Sequence, residues 1–314
     1  MNELTAIVFK VESLNTHNGP GYRTVVYFKG CPLKCQWCHN PESISPQKEI
    51  WVVNKRCIGC ESCVQVCPTE ALSMASEGIK VDRQKCTGCQ ICANVCPSKA
   101  IEKLGDEYTV DQLFERIMGD KPFWDASGGG VTLTGGEPAT YSRFCIELLK
   151  KCKKEGIHTA FDTSGFVSQK VMQELLPYID LVFFDLKILI AEKAKQLTGQ
   201  GTKEILASLQ VVKSFIEKYG APELQIRTPL IPDATDTQEN LNAISVLLEK
   251  NLTGLFTKWE LCMFNDVCED KYIKMNQKWR YTGKKYMESD LKKMNQFQEK
   301  HSNNKIEITG FVSR

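Results

Sequence analysis

The sequence predicts an α/β protein built on a parallel sheet or an incomplete β/α barrel, with a small cysteine-rich insert near its start. Three observations carry that expectation. Strand-like and helix-like apolar patterns alternate from Thr24 onward, as in β–α units that feed a parallel sheet. Between about Ile50 and Leu104 the composition changes, and two near-copies of one cysteine motif follow each other, which marks an internal duplication. Several polar motifs come just after strand-like runs, where active sites of such folds are built.

The first element, Thr24 to Phe28, is β-branched and aromatic and reads as a buried strand leading into Gly30 and Cys31. After the insert, Thr109 and Gln112 have the spacing of a capping box. Val110, Leu113, Phe114, Ile117 and Met118 then form a helical stripe. Val131 to Thr134 reads as a strand ending in Gly135-Gly136, and Cys145, Leu148, Leu149 and Cys152 share one face of the next helix. Further strands are expected at His158 to Thr163, Leu181 to Leu186, Leu224 to Leu230 and Trp259 to Phe264. Helices are expected at Ile205 to Lys218, Thr237 to Lys250 and Glu288 to Lys300, before a short strand from Lys305 to Thr309. That makes about six strands in β–α alternation, counted from Thr24.

Composition excludes several classes. Of 314 residues, 42% are hydrophobic and 25% charged, the balance of a soluble globular protein with room for one large domain and a small module. A net charge of +2 gives no electrostatic reason to expect nucleic acid or an anionic membrane as partner. The segment from Met1 to Ile7 lacks the basic and apolar regions of a signal peptide, and no apolar stretch is long enough to span a bilayer. A cytoplasmic location is therefore expected. In a reducing compartment, fifteen cysteines more readily bind metal or do chemistry than form disulfides.

Eleven of them fall into three groups between Cys31 and Cys96. Cys57, Cys60, Cys63 and Cys67, followed by Pro68, have the bacterial ferredoxin spacing, and so do Cys86, Cys89, Cys92 and Cys96, followed by Pro97. In that pattern the fourth cysteine of each run ligates the other cluster. One 4Fe–4S cluster is thus expected on Cys57, Cys60, Cys63 and Cys96, the other on Cys86, Cys89, Cys92 and Cys67. Zinc fits two such Cys-Pro-terminated runs poorly. Fully ligated clusters carry electrons but offer no vacant iron. The group Cys31, Cys35 and Cys38 differs in kind: three thiolates would hold a cluster and leave one iron open, much as a catalytic zinc keeps an open position. The alternative is a structural zinc site completed by His39.

The spacing of Cys31, Cys35 and Cys38, with Trp37 before the last cysteine, resembles the radical S-adenosylmethionine superfamily. Gly19 to Thr24, Phe28 to Pro32, Trp37 to Glu42, Ser127 to Thr132 and Gly135 to Pro138 resemble more particularly the glycyl-radical-enzyme activating enzymes, relatives of the pyruvate formate-lyase activase. The insert matches members that serve dehydratases, decarboxylases and lyases. The resemblance implies an incomplete (β/α)6 radical S-adenosylmethionine barrel, divided as residues 1–49, a ferredoxin-like insert over 50–104, and 105–314.

It also implies three 4Fe–4S clusters and S-adenosylmethionine as cofactors, with Cys31, Cys35 and Cys38 as the catalytic ligands. The open iron would chelate the amino and carboxylate groups of S-adenosylmethionine. One electron would then release methionine and a 5′-deoxyadenosyl radical, which takes hydrogen from a backbone glycine of a partner glycyl radical enzyme. A flavodoxin or ferredoxin-type protein would donate the electron. The cofactor-binding residues so implied are Trp37 near the adenine, His39, Gly135, Gly136, Glu137, Asp162, Thr163, Asp185, Lys187, Arg227 and Asn265. Two carboxylates beside a third would repel it, so a monovalent cation or Lys187 is expected between Asp162 and Asp185; helix capping is the alternative for Asp162. Arg227 would contact a carboxylate or ribose. Asn265 stands where many members carry a histidine, and it can hydrogen-bond but not titrate. Cys262 and Cys268 beside it read as small buried hydrophobes, with a role at the site's mouth as the minority reading. Segments from Tyr272 to Tyr286 are candidate docking loops. A small-molecule radical enzyme and a plain electron carrier are the rival functions.

Overall fold

The computed structural model describes residues 3–310; Met1 and Asn2 of the N-terminal segment lie outside them. Its strands are β1 (Thr5–Asn15), β2 (Arg23–Phe28), β3 (Glu49–Val52), β4 (Leu72–Ala75), β5 (Gly78–Val81), β6 (Ile101–Leu104) and β7 (Asp106–Thr109). After these come β8 (Gly130–Gly135), β9 (His158–Thr163), β10 (Leu181–Asp185), β11 (Glu223–Pro229), β12 (Lys258–Cys262) and β13 (Ile306–Thr309). Nine of them form one open sheet in the order β13-β12-β11-β10-β9-β8-β2-β1-β7. From β2 through β13 every neighbouring pair in it is parallel, whereas β1 runs antiparallel to both β2 and β7. The alternation expected from Thr24 is therefore present, with β13 as a seventh parallel strand. The sheet also extends beyond β2 through β1 and β7. Their sequences, half-exposed with mixed polarity, give little periodic signal. No described helix is long and apolar enough to cross a membrane.

The two faces of the sheet are unlike. Val131, Leu133, Phe161, Val182, Phe184, Ile226 and Leu261 point into the main core, where they meet helices such as Ser142–Lys154. That helix buries Phe144, Cys145, Leu148, Leu149 and Cys152, so the two cysteines predicted to be core are core. Each such side chain stabilises by about 1.5–3 kcal/mol when fully buried. The helix Val110–Met118 begins at the expected capping box, with Gln112 N donating to Thr109 Oγ1 and Thr109 N to Gln112 Oε1. On the opposite face, Ala160, Leu181 and Phe183 form a small separate cluster, and the residues beyond it toward the C-terminal strand ends are polar. Asp185, Arg227 and Glu260 are register neighbours on β10, β11 and β12. The chain thus gathers charge at one end of one face.

Residues 49–104 carry two small antiparallel sheets, β3 with β6 and β4 with β5. They join the body through Lys29, whose side chain is fully buried at the end of β2. Its Nζ donates to Glu42 O (2.5 Å) and Glu49 Oε2 (2.7 Å). Gln90 Nε2 in turn donates to Glu49 O and Gly105 O.

At the other end of the sheet Asp180 ties strands together. Its carboxylate accepts from Thr159 N (2.9 Å) and Thr159 Oγ1 (3.0 Å) and meets Lys153 Nζ. Burial works to raise its pKa, but Lys153 and Thr159 outweigh it and hold the carboxyl below its ordinary 3.8. A carboxyl lowered on folding contributes stability above its unfolded value and loses it as pH falls through the folded one. Asp180→Ala should therefore cost about 1–3 kcal/mol near neutral pH. In urea unfolding followed by circular dichroism, the gap from the parent should close as pH falls below 3.8.

Candidate active site

At the C-terminal ends of the parallel strands lies a cavity of about 320 Å³, within the usual range for small-molecule sites, roughly 300–1,000 Å³. One wall is the loop after β2. Gly30, at φ 93°, turns the chain out of the strand, and Gly30 N and Cys31 N donate to Ser43 O and Ile44 O. Lys34 N and Gln36 N donate to Thr198 O and Leu197 O of the helix Ala191–Thr198. Cys38 N donates to Cys35 O, which closes the turn that faces all three thiols into the cavity. The far end of the loop is fastened by a short helix, Glu269–Lys274. Lys271 Nζ donates to His39 O (2.9 Å) and Asn40 Oδ1 (2.7 Å) and pairs with Glu42 Oε1 (2.7 Å), while Tyr272 Oη donates to Cys38 O (3.0 Å).

Burial pushes all three thiols up, Cys31 to about 12 with help from Glu137, and Cys38 further through Cys35 and Cys31. Three buried sulfurs that oppose one another's ionisation suit a cluster whose iron neutralises them. The donor set fits an iron–sulfur centre.

A second wall comes from β8. A Cβ on Gly135 would lie 2.3 Å from Phe28 N, and one on Gly136 would lie 2.4 Å from Gly30 O. Glycine is required there because the strand end and the cysteine loop touch through bare backbone. Glu137 does not reach the cavity. Its carboxylate accepts from Thr163 Oγ1 (2.9 Å), Ser164 N (2.9 Å), Ser164 Oγ (2.7 Å) and Ala139 N (3.2 Å). Burial nonetheless raises its pKa against those donors. Its place is beneath the cavity floor, joining β8 to the end of β9.

Asp162, Asp185 and Lys187 line the third wall. Lys187 Nζ contacts Asp185 Oδ2. Burial would lower the ammonium's pKa, but Asp185 and the thiols of Cys35 and Cys31 raise it on balance, so Lys187 stays charged. Asp162 is no helix cap: it accepts from Thr134 Oγ1 (2.9 Å) and faces Arg227 Nη1 (3.5 Å). Burial raises Asp162, with Arg227 opposing and Asp185 adding to the rise. Lys187 thus serves Asp185, and Arg227 serves Asp162. Arg227 itself does not line the cavity. Its guanidinium stacks 3.6 Å from the centre of the Phe183 ring and donates to Glu260 Oε2 (2.9 Å) and to His17 O (3.2 Å).

Trp37, His39 and Asn265 line the remaining side with Met263 and Phe264. His39 packs edge-on to Phe264, and burial and then Lys271 lower its pKa, which keeps the imidazole neutral. Thr163 lines the cavity while donating to Glu137. Cys262 lines the cavity; burial and then Glu260 push it to about 12, and it is a neutral thiol. Cys268 is buried, as expected. Tyr272, Trp279 and Tyr286 are buried too, which removes them as docking residues. Trp279 stacks on Phe264 at 6.2 Å behind the cavity.

In the insert, Ala71 N donates to Cys67 Sγ and Ala100 N to Cys96 Sγ, each at 3.2 Å. Such donors lower both thiols against the effect of burial. Cys96 lies near enough to Cys60 and Cys63 for its charge to act on both, and Cys57 acts on Cys63.

Comparison with known proteins matches the radical SAM superfamily over residues 83–241, a 4Fe-4S dicluster domain over 56–100 and a 4Fe-4S single cluster domain over 17–69. The 4-hydroxyphenylacetate decarboxylase activating enzyme of Clostridium scatologenes is 36% identical, covering 96% of this chain and 95% of that protein. The chain belongs to the radical SAM superfamily, among the activating enzymes of glycyl radical enzymes. The trans-4-hydroxy-L-proline dehydratase activating enzyme of Clostridioides difficile is also 36% identical, over 88% of this chain and 90% of that one. The choline trimethylamine-lyase activating enzyme of Oleidesulfovibrio alaskensis is 33% identical, over 90% of each. Among solved structures, Streptococcus suis SuiB bound to precursor peptide SuiA shares the fold, with TM-score 0.52 and 15% identity over 91% of this chain and 48% of that one. The protein is a radical SAM oxidoreductase that activates a partner enzyme.

Glu137→Ala would strand Ser164 N and Ala139 N in a dry interior, at about 1–3 kcal/mol for each unpaired group. A lowered melting temperature of the anaerobic protein is expected, and an unchanged one would contradict the floor role.

Proposed function

We propose that Cys31, Cys35 and Cys38 hold the catalytic 4Fe–4S cluster and that the cavity beside them binds S-adenosylmethionine. The observation that carries this reading is the convergence of three mutually opposed thiols, a bare glycine strand end and the Asp185–Lys187 pair on one cavity. When bound, the cluster and S-adenosylmethionine supply one electron and a carbon–sulfur cleavage, giving methionine and a 5′-deoxyadenosyl radical that takes hydrogen from a partner glycine.

The chain's own part is to bind, orient and keep dry. Gly135 and Gly136 let the methionyl portion lie against main chain. Lys187 holds positive charge beside the thiols, next to where a methionyl carboxylate would sit. Lys187 and Arg227 supply the charge for which a monovalent cation is the alternative. Trp37, Met263 and Phe264 bound the apolar end, where an adenine would stack, and Asn265 offers it a hydrogen bond. Arg227 acts from behind, holding Asp162 and Glu260 at their spacing.

The two runs of the insert carry the other two 4Fe–4S clusters, on Cys57, Cys60, Cys63 and Cys96 and on Cys86, Cys89, Cys92 and Cys67. The packing of Cys57, Cys67 and Cys96 against the one cluster that buries Cys63 and Cys92 supports that crossing. In this reading residues 50–104 interrupt an incomplete (β/α)6 barrel, formed by 1–49 and 105–314, in a cytoplasmic protein fed by a flavodoxin or ferredoxin-type donor. The partner is of the class served by the relatives, a decarboxylase, dehydratase or lyase.

Anaerobic protein reconstituted with iron and sulfide, reduced with dithionite and given S-adenosylmethionine should release 5′-deoxyadenosine, measured by chromatography. Cys31→Ala should abolish release, whereas Cys60→Ala should retain most of it under dithionite. Full release by Cys31→Ala would overturn the cluster assignment. Absence of a glycyl radical signal from every neighbouring lyase or decarboxylase would overturn the activase role.

A further inference from the structure

The two halves of the duplicated insert have the same fold but opposite surroundings. Corresponding backbone positions share their conformations: Gly59 and Gly88 at φ 72° and 68°, and Glu61 and Gln90 at φ 57° and 62°. Their environments differ. A Cβ on Gly88 would lie 1.8 Å from Lys48 O, whereas one on Gly59 would meet nothing within 4 Å. Gln90 is 7% exposed and bonds Glu49 O and Gly105 O, but its counterpart Glu61 is exposed. Ile58, next to Cys57, is 67% exposed.

The second loop is also joined to the active-site loop. Gln90 follows Cys89 and holds Glu49, Glu49 pairs with the buried Lys29, and Lys29 stands two residues before Cys31. Among the described residues, no such chain of bonds leaves the first loop. Between the halves, Cys63 and Cys92 are buried in one apolar cluster, which joins the two motifs.

We infer that the Cys57–Glu61 loop is the port at which an external one-electron donor protein docks, and that the Cys86–Gln90 loop is the exit facing the active site. The inference rests on the cluster reading above and gives it a direction. One electron leaves the reduced donor, which is oxidised by one, and reaches the set Cys57, Cys60, Cys63 and Cys96. It would pass through the shared Cys63–Cys92 cluster region to the cluster that Cys86, Cys89, Cys92 and Cys67 would hold, and from there reduce by one the cluster that Cys31, Cys35 and Cys38 would hold; no proton moves with it. Lys55 and Lys99 are exposed beside the port, and Arg56 links them by donating to Lys99 O. The favoured occupant is therefore a small acidic donor with an apolar contact for Ile58.

The test compares Ile58→Asp with Thr87→Asp, the corresponding exposed position of the second loop, in the full reconstituted chain. Stopped-flow absorbance follows cluster reduction by a reduced acidic two-cluster ferredoxin, with dithionite as a parallel reductant. Ile58→Asp should slow reduction by ferredoxin at least tenfold and leave reduction by dithionite unchanged, and Thr87→Asp should alter neither rate. Glu61→Lys, which adds charge of the port's own sign, is the second variant should Ile58→Asp lose iron; it should speed the ferredoxin reaction and steepen its salt dependence. Equal rates for all variants, or slowing by Thr87→Asp alone, would overturn the port. If dithionite reduces the clusters but no 5′-deoxyadenosine forms, the proposed function fails while the port is still read from the reduction rates.

Discussion

The proposed cluster asks three thiols on one short loop to ionise together on a cavity wall, and much of the architecture answers that demand. Burial and mutual repulsion hold Cys31, Cys35 and Cys38 in their neutral forms until a cationic centre binds them. A loop that must present its sulfurs at fixed separations to such a centre cannot be slack. It is accordingly bonded along its length, to Ser43 and Ile44 on one side, to the helix Ala191–Thr198 on another, and to Lys271 and Tyr272 at its end. Those last contacts come from more than two hundred positions away in the chain, so the loop's shape is set only when the fold is complete.

Charge at the strand ends follows a similar logic. Asp162, Asp185 and Glu260 would repel one another and a bound carboxylate if left alone. Two cations answer them from different places. Lys187 stays on the cavity wall, and Arg227 withdraws onto the Phe183 ring to hold Asp162 and Glu260. The guanidinium suits that role because its planar fork can stack and bond to two carboxylates at once. Glu137 shows the same division, since a carboxylate saturated by four protein donors is structural mortar and not a ligand-binding group.

Much of this was legible in the residues. The strand end at Thr163, the capping box at Thr109, and the buried face of Cys145 and Cys152 all follow from local periodicity and capping chemistry. Motif positions after strands placed the cysteine loop, Gly135, Gly136, Asp162, Asp185 and Lys187 around one cavity. What the residues could not reveal was which polar groups satisfy one another. Glu137 and Arg227 look like ligand contacts in a linear motif and become internal partners only when β9 and β12 arrive beside them. Lys271 carried no signal, because an exposed-looking lysine on a six-residue helix acquires meaning only from the carbonyls it meets. β7 escaped because it is a four-residue edge strand, and β1, between it and β2, escaped because irregularities in its register interrupt the alternation.

The burial of Lys29 bears on the modularity of the chain. A ferredoxin-like module bounded by a two-stranded closure looks detachable, a cassette that the body could gain or shed. Yet the ammonium at the end of β2 is sealed by Glu49 on the module's first strand, and Gln90 from deep within the module holds Glu49 in place. Excision would leave a buried charge in the body with its carboxylate gone. A shorter relative could not simply lack the cassette; it would need a different residue at this position. Body and module are therefore one heritable unit, joined by a lysine.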